Sequence, residues 1–117
     1  MFLDLAYKTL DLYTLSKKLV VACYELTHSL PEDEKNNMTR QIREASLTCY
    51  ANIVRGLFRK SEKKRRKHFK QAKESLQIID ASLELLLQLN YIKKEQLNEV
   101  ENSLTPCYRV LNKLLKK

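Results

Sequence analysis

Apolar residues recur every three or four positions along most of the chain, which is the spacing of a helix with one buried face. The first such segment carries Leu12, Leu15, Leu19, Ala22, Cys23, Leu26 and Leu30. Pro31 ends this segment, because proline has no backbone N–H to continue a helix. An acidic and asparagine-rich connector, residues 32–37, follows. The pattern therefore predicts a first helix that ends before Pro31.

A second helix is predicted from about Met38 to Phe58. Its inward positions are Ile42, Ala45, Cys49, Ile53 and Leu57, and a second apolar stripe on a neighbouring face consists of Leu47, Tyr50, Val54 and Phe58. Two apolar faces on one helix require two packing partners. Gly56 lowers helix stability by about 1 kcal/mol relative to Ala, so its position predicts a helix end or a close approach of another group to the backbone.

A third helix is predicted from Ser61, a suitable N-cap, to about Leu89. Its first half is cationic around Phe69 and Ala72, and its second half is apolar at Leu76, Ile78, Ile79, Leu83, Leu85, Leu86, Leu87 and Leu89. A fourth helix, from about Lys93 to Lys116, has apolar positions at Leu97, Val100, Leu104, Cys107, Leu111 and Leu114. Pro106 falls inside the fourth helix and is expected to kink it.

Length and composition agree with a single all-helical domain over residues 1–117. One Gly and two Pro in 117 residues leave little material for hairpin turns. Four helices with short connectors predict an up-down-up-down four-helix bundle. The apolar surface exceeds what one narrow bundle can bury, which predicts a homo-oligomer whose interface contains Tyr13, Val20, Tyr24, Leu47, Tyr50, Phe58 and Leu87.

Positive charge is concentrated in one segment of the chain. The formal net charge is +8. Between Arg55 and Lys73 lie ten basic residues and one acid, Glu62, whereas the rest of the chain has twelve basic and thirteen acidic residues. A concentrated positive field attracts phosphate polymers or anionic lipid headgroups.

The basic residues of this segment are expected to share one surface. The candidates for nucleic-acid binding are Arg55, Arg59, Lys60, Lys63, Lys64, Arg66, Lys67, Lys70 and Lys73. Like charges four residues apart destabilise a helix by roughly a few tenths of a kcal/mol per pair, and a merely solvated face would normally relieve this with interspersed acids. Nucleic acid is favoured over a membrane surface, because residues 59–73 offer only Phe69 and Ala72 for insertion into lipid.

Aromatic stacking on single strands is expected to be weak. The aromatic residues near the basic segment are Phe58, Phe69 and Tyr50. We interpret both phenylalanines as core residues of the bundle, which leaves phosphate contacts as the main source of affinity.

No catalytic constellation and no cofactor is predicted. Glu25 and His28 have the Glu-x-x-His spacing that di-iron bundles use, but such sites need a second pair. Arg65 stands at the matching offset before His68. We therefore expect no metal site, and Glu25 and His28 are interpreted as a solvated surface pair.

The cysteines and the termini add two expectations. Cys23, Cys49 and Cys107 lie on apolar helical faces without CxxC spacing, which predicts buried, reduced thiols. The first residues carry no positively charged n-region followed by an apolar run, and no stretch of eighteen apolar residues occurs. A soluble, cytoplasmic protein is expected.

Several local patterns together match one known family. They are the run from Tyr7 to Pro31, Gln41-Ile42-Arg43-Glu44-Ala45, Ala51-Asn52-Ile53-x-x-Gly56, Arg59-x-Ser61, Phe69, Ser75-Leu76 and Leu89-x-Tyr91-Ile92. In these residues the chain resembles the four-helix-bundle proteins encoded in intervening sequences of bacterial large-subunit ribosomal RNA genes. It is also similar to the related accessory variability determinant, Avd, of diversity-generating retroelements.

The resemblance implies a basic, barrel-like homopentamer. For the retroelement branch, it implies that the ring binds a reverse transcriptase and its RNA or cDNA. Arg55 and Lys67-His68 replace residues that are commonly acidic in the intervening-sequence branch, and Tyr13 replaces a common Trp. The greater positive charge favours the Avd-like role. The alternative is a structural scaffold whose basic face docks an acidic protein.

Overall fold

The computed structural model describes residues 5–116, without the side chains of residues 8 and 9. Within this range the chain is helical and has no strand. The four α-helices are α1 (Asp11–Thr27), α2 (Met38–Phe58), α3 (Glu62–Gln88) and α4 (Asn98–Lys116). Three short 3-10 turns precede or join them at Ala6–Thr9, Glu32–Glu34 and Lys94–Leu97.

The helices form a four-helix bundle. Each helix packs against the next one along the chain, and α1 also packs against α4, which closes the bundle. Short connectors between helices that lie side by side require the chain direction to alternate. The predicted all-helical bundle is confirmed for the described residues.

The predicted helix boundaries are accurate where a local capping signal exists. The backbone N–H of Lys64 donates to the Ser61 hydroxyl at 3.4 Å, so Ser61 is the N-cap of α3. At the other end Asn90 has a φ of 63°, and the N–H of Tyr91 donates to the Leu86 carbonyl at 3.0 Å. This is a Schellman ending, for which Asn tolerates the left-handed backbone.

Two helix ends differ in detail from the prediction. α1 ends before Pro31, as predicted, but already at Thr27, because the N–H groups of Ser29 and Leu30 donate to the carbonyls three residues earlier and do not continue the α-helical pattern. α4 begins at Asn98 rather than Lys93, because Lys94–Leu97 form a tighter 3-10 turn. The helix then continues through Pro106 to Lys116.

The core is built from all four helices. Its largest fully buried side chains include Leu19, Ile42, Ile53, Leu76, Ile79, Leu86 and Leu111. Three buried thiols, those of Cys23, Cys49 and Cys107, also lie here, as predicted. Burial raises the pKa of Cys23 to about 12. A hydrogen bond with Cys107, together with burial, raises the pKa of Cys49. The thiols of Cys23 and Cys49 therefore stay protonated at neutral pH.

One row of residues in the apolar second half of α3 is exposed. Ile78, Leu85 and Leu89 are 46–48% exposed, whereas Ile79, Leu83 and Leu86 on the same helix are buried. Ile78, Leu85 and Leu89 recur at seven- and four-residue steps, which places them on the face of α3 opposite the core. A helix in a four-helix bundle turns only one side inward, so this row remains on the surface.

Gly56 is the site of a close contact between α2 and α3. A Cβ atom added there would lie 2.5 Å from Cε1 and 2.8 Å from Cδ1 of the Phe69 ring. Phe69 itself is 3% exposed, so its ring has little room to move. The close approach predicted for Gly56 is confirmed, and α2 ends two residues later.

We expect Gly56→Ala to lower the free energy of unfolding by about 1 kcal/mol. Overpacking of the Phe69 ring costs about 1–3 kcal/mol, and the better helix propensity of Ala offsets about 1 kcal/mol of it. Urea unfolding followed by circular dichroism measures the change. The loss should shrink in a Phe69→Leu background, where the ring is gone. Stabilisation by Gly56→Ala in the parent chain would contradict this packing.

Candidate nucleic-acid interface

The basic segment spans the end of α2, a three-residue connector and the first three turns of α3. Arg65 holds this connector in place. Its guanidinium donates to the Arg59 carbonyl, with Nη2 at 2.8 Å and Nε at 3.3 Å, and Nη1 lies 3.3 Å from Glu62 Oε2. Arg65 is thus occupied within the fold, and its contacts fix the angle at which α3 leaves α2.

Seven of the nine candidate residues point into solvent, and we call them the basic ridge: Arg55, Arg59, Lys60, Lys63, Lys64, Lys67 and Lys70. The ion pairs among the described residues are Arg40 with Glu44 and Arg65 with Glu62. No member of the basic ridge is paired with a carboxylate in this part of the chain. The positive charge is therefore uncompensated on the surface.

The remaining two candidates lie on the side of α3 that faces α4, and both are half-buried. Nη2 of Arg66 donates to the Leu115 carbonyl at 2.7 Å, which places a cation at the last turn of α4. A cation there interacts favourably with the helix dipole. Lys73 Nζ lies 5.6 Å from the centre of the Tyr108 ring. Arg66 and Lys73 thus support the packing of α3 against α4.

His68 and Asn52 were not among the candidates, and the structure joins them beside the basic ridge. His68 Nδ1 lies 3.0 Å from Asn52 Oδ1, and Asn52 Nδ2 donates to the Thr48 carbonyl at 3.1 Å. Burial lowers the pKa of His68, and the nearby charges of Arg59, Arg55 and Lys67 lower it further. Sixteen positions separate the two residues, so no local sequence motif indicates that they form a hydrogen bond.

The basic ridge also includes the first turn of α3. The free N–H groups of a helix N-terminus carry partial positive charge, so Lys63 and Lys64 lie where a cation is unfavourable and an anion is stabilised. Glu62 is the one acid of that turn. The helix dipole and the lysines consequently add to the same positive potential.

Phe58 differs from its expected role. Its side chain is 53% exposed and is therefore no core residue of the single chain, whereas Phe69 is buried as predicted. The Phe58 ring centre lies 4.8 Å from that of Tyr7, at the end of α2 where the basic ridge begins. An apolar surface thus borders the ridge.

Six of the seven predicted interface residues lie on one surface along α1 and α2. Tyr13, Val20 and Tyr24 recur on one face of α1, and Leu47, Tyr50 and Phe58 on one face of α2. The two rows meet where the rings of Tyr13 and Tyr50 lie 5.8 Å apart, with Tyr50 donating to the Tyr13 hydroxyl at 3.3 Å. This hydrogen bond and partial burial raise the pKa of Tyr50 to about 12.

We call this surface the tyrosine face, and Leu47, which is 43% exposed, lies near its middle. The guanidinium of Arg43 covers the Tyr24 ring at 4.6 Å at the far end. The seventh predicted residue, Leu87, is half-buried on α3 and packs against the core instead. Ile78, Leu85 and Leu89 form a second, separate apolar surface, which we call the α3 row.

Glu25 and His28 are not part of a larger group of metal-ligating side chains among the described residues. Glu25 and His28 are both exposed on α1 and its C-cap. No group of three or more His, Cys, Asp or Glu side chains is placed to hold a metal ion between residues 5 and 116. Over the same residues, no helix is long and apolar enough to cross a membrane.

Comparison with known proteins identifies the family. The model of the 23S rRNA-intervening sequence proteins matches residues 8–113. A crystal structure from Bacteroides thetaiotaomicron, described as a protein with unknown function from the S23 ribosomal protein family, superposes with a TM-score of 0.81. It is 23% identical in sequence, and the match covers 91% of this chain and 99% of that one. No curated protein gives a significant match.

The similarity to that crystal structure supports the fold. The family match covers α1, α2, α3 and α4 as far as Lys113, and so includes the basic ridge and the Gly56–Phe69 contact. Neither description mentions an enzymatic activity. On the strength of the match over residues 8–113, this chain belongs to the 23S rRNA-intervening sequence protein family.

Proposed function

We propose that this protein binds RNA or DNA through phosphate contacts made by the basic ridge. The observation that carries this proposal is the absence of paired carboxylates around seven exposed cations in the described part of the chain. Basic side chains on a phosphate backbone release condensed counterions whatever the base sequence, which is a large source of affinity. The positive end of α3 adds to this attraction.

The arrangement of the other polar groups supports the same proposal. Arg65, Arg66 and Lys73 are engaged within the bundle, so the basic ridge stands on a rigid support. Because the backbone beneath the ridge is already ordered, only the cationic side chains lose conformational entropy when a phosphate binds. Lysines outnumber arginines on the ridge, and this favours contact with the backbone over reading of base edges.

We further propose that the protein acts as an Avd-like accessory factor, which binds a reverse transcriptase together with its RNA or cDNA. The strongly positive surface supports this branch of the family, because a factor that holds a template or product must bind a polyanion. A reverse-transcriptase gene with a template repeat beside this gene would support the assignment.

Assembly into a closed ring is the third part of the proposal, and the pentamer is our expected size. A ring needs two different surfaces on each subunit that are complementary to each other. The tyrosine face, with Leu47 and Phe58 exposed, and the α3 row are our candidates for these two surfaces. Pairing the tyrosine face of one subunit with the α3 row of the next would bury both.

The first test is binding of a fluorescent random-sequence oligonucleotide as salt rises. We expect log K to fall linearly with log[salt], with a slope of about −0.7 per phosphate contact for a single strand. Four to six contacts would give a slope of about −3 to −4. Binding of an acidic protein with no affinity for the oligonucleotide at low salt would reject the proposal and favour the scaffold alternative.

A further inference from the structure

The hydrogen bonds around Asn52 fix the protonation pattern of His68. A carbonyl oxygen can only accept, so the Asn52 atom at 3.1 Å from the Thr48 carbonyl must be the amide nitrogen. The Asn52 oxygen then faces His68 and accepts from its Nδ1–H at 3.0 Å. A neutral imidazole has one N–H, so Nε2 of His68 carries a lone pair and is an acceptor.

This acceptor is open to solvent. Nε2 has no hydrogen-bond partner among the described residues, and no buried side-chain nitrogen or oxygen of that part of the chain lacks one. Nε2 must therefore be accessible. Next to Asn52 an open groove of about 600 Å³ runs between α2 and α3, with Arg55, Thr48 and Gln71 on its walls together with the carboxylates of Glu44 and Glu74.

Three cations of the basic ridge, which hold phosphates under the proposed function, also lie near enough to act on the charge of His68. Arg55 and Arg59 approach His68 from the end of α2, and Lys67 is its neighbour on α3. A strand whose phosphates contact these three cations passes its bases close to the imidazole. Resting on that proposed function, we infer that His68, oriented by Asn52, reads the base of a single strand and selects cytosine and adenine, whose amino groups lie where uracil and guanine carry a carbonyl oxygen.

The chemical basis of the selection is the direction of one hydrogen bond. Cytosine and adenine present an amino group that donates to Nε2, whereas uracil and thymine present a carbonyl oxygen at the equivalent position. The lone donor of uracil, N3–H, lies between two carbonyl oxygens that the imidazole lone pair repels. Unpaired bases are read in this way in single strands, where their edges are free.

The experiment compares two RNA oligonucleotides of equal length and charge, U12 and alternating (UC)6, by fluorescence anisotropy at pH 7.5. They differ only at the pyrimidine edge, so phosphate contacts cancel in the ratio of their Kd values. We expect (UC)6 to bind about three- to tenfold more tightly, the range for one net hydrogen bond.

Three variants test whether the ratio of the two Kd values depends on His68. His68→Gln presents both a donor and an acceptor, so we expect binding to remain and the ratio to fall to about 1. Asn52→Leu frees the imidazole to change tautomer, and the ratio should fall without loss of helicity. Lys67→Gln is the control, which should weaken both complexes by the same factor and leave the ratio unchanged.

Acidification provides a second readout. His68 has a lowered pKa and is neutral at pH 7.5, and protonation at lower pH converts Nε2 into a donor. We expect the preference for (UC)6 to shrink between pH 7.5 and pH 5 in the parent chain and to stay flat in His68→Gln. A His28→Ala variant, which alters the other histidine, should behave as the parent chain does.

The outcomes separate this inference from the function on which it rests. Equal affinity for U12 and (UC)6 at pH 7.5 overturns the role of His68 and leaves phosphate binding intact. A preference for (UC)6 that is unchanged in His68→Gln also overturns the role of His68. Failure of the parent chain to bind either oligonucleotide at low salt overturns the proposed function, and the base selection with it.

Discussion

Replacing Lys63, Lys64 and Lys67 together by Glu should weaken oligonucleotide binding by about a hundredfold or more at 100 mM salt. Each substitution removes a phosphate contact and its counterion release, and each adds a negative charge that repels the backbone. All three side chains are exposed and unpaired among the described residues, so the fold loses no ion pair. Anisotropy gives the affinity, and circular dichroism should show unchanged helicity.

A variant with the same change in net charge tests whether the expected loss of affinity depends on the position of the lysines. Lys18, Lys35 and Lys94 are also exposed lysines, but they lie on α1 and in the connectors, away from the basic ridge. Replacing these three by Glu gives the same formal charge. We expect a loss of less than about fivefold, since screening weakens charges beyond roughly 10 Å at 0.1 M salt. Equal losses in the two triple variants would reject a localised site.

A neutral version of the ridge variant adds a quantitative check. With Gln at Lys63, Lys64 and Lys67, repulsion is absent and only the contacts are lost. The slope of log K against log[salt] should then become shallower by about 2, at about 0.7 per contact. An unchanged slope would mean that these lysines do not touch phosphate.

The second large effect concerns assembly. We expect the parent chain to have a molar mass that is a multiple of 13.8 kDa, and Leu47→Glu or Leu85→Glu to reduce it to the monomer. Leu47 lies on the tyrosine face and Leu85 in the α3 row, and both are nearly half exposed. A charge placed in either surface is desolvated without a partner on assembly, which is strongly unfavourable. Light scattering on size-exclusion fractions measures the mass.

Mixing the two single variants distinguishes the kinds of interface. Leu47→Glu keeps an intact α3 row, and Leu85→Glu keeps an intact tyrosine face. If the two surfaces bind each other, each variant alone is monomeric and an equal mixture forms a dimer of twice 13.8 kDa. If each surface instead bound its own copy, each variant alone would already form dimers.

A control on a third surface completes the assembly test. Val21 is also an exposed apolar residue of α1, but it lines a groove toward Glu99 and Asn102 of α4. This groove shares only Tyr13 with the tyrosine face. Val21→Glu should leave the mass of the parent assembly unchanged. A monomeric parent chain at micromolar concentration would contradict the ring, and it would leave the binding proposal to be judged on the ridge variants.

Much of the fold could be predicted because its signals are local. The ends of α2 and the N-cap of α3 follow from the apolar spacing and from the hydroxyl of Ser61. The small size of Gly56 pointed to a close contact, although its partner, Phe69, lies thirteen positions away and only packing identifies it. The start of α4 was misplaced because apolar spacing does not separate a 3-10 turn from an α-helix over four residues.

The sequence predicted the positive charge of the candidate site. It did not predict which of the basic residues stay exposed and which contact other helices. Ten basic residues between positions 55 and 73 announce a positive surface in any helical arrangement. Spacing alone could not say that Arg66 would contact the Leu115 carbonyl or that Lys73 would cover the Tyr108 ring. Those contacts depend on where α4 packs, which is set by the whole core.

The sequence by itself determined the class of fold, the helix order and the place of the positive charge, since each depends on residues close together in the chain. The tertiary structure decided which cations stay exposed, which apolar row of α3 faces solvent, and that Asn52 meets His68. These features depend on how each of the four helices is rotated about its own axis in the packed bundle. That rotation is set by the packing of all four helices together.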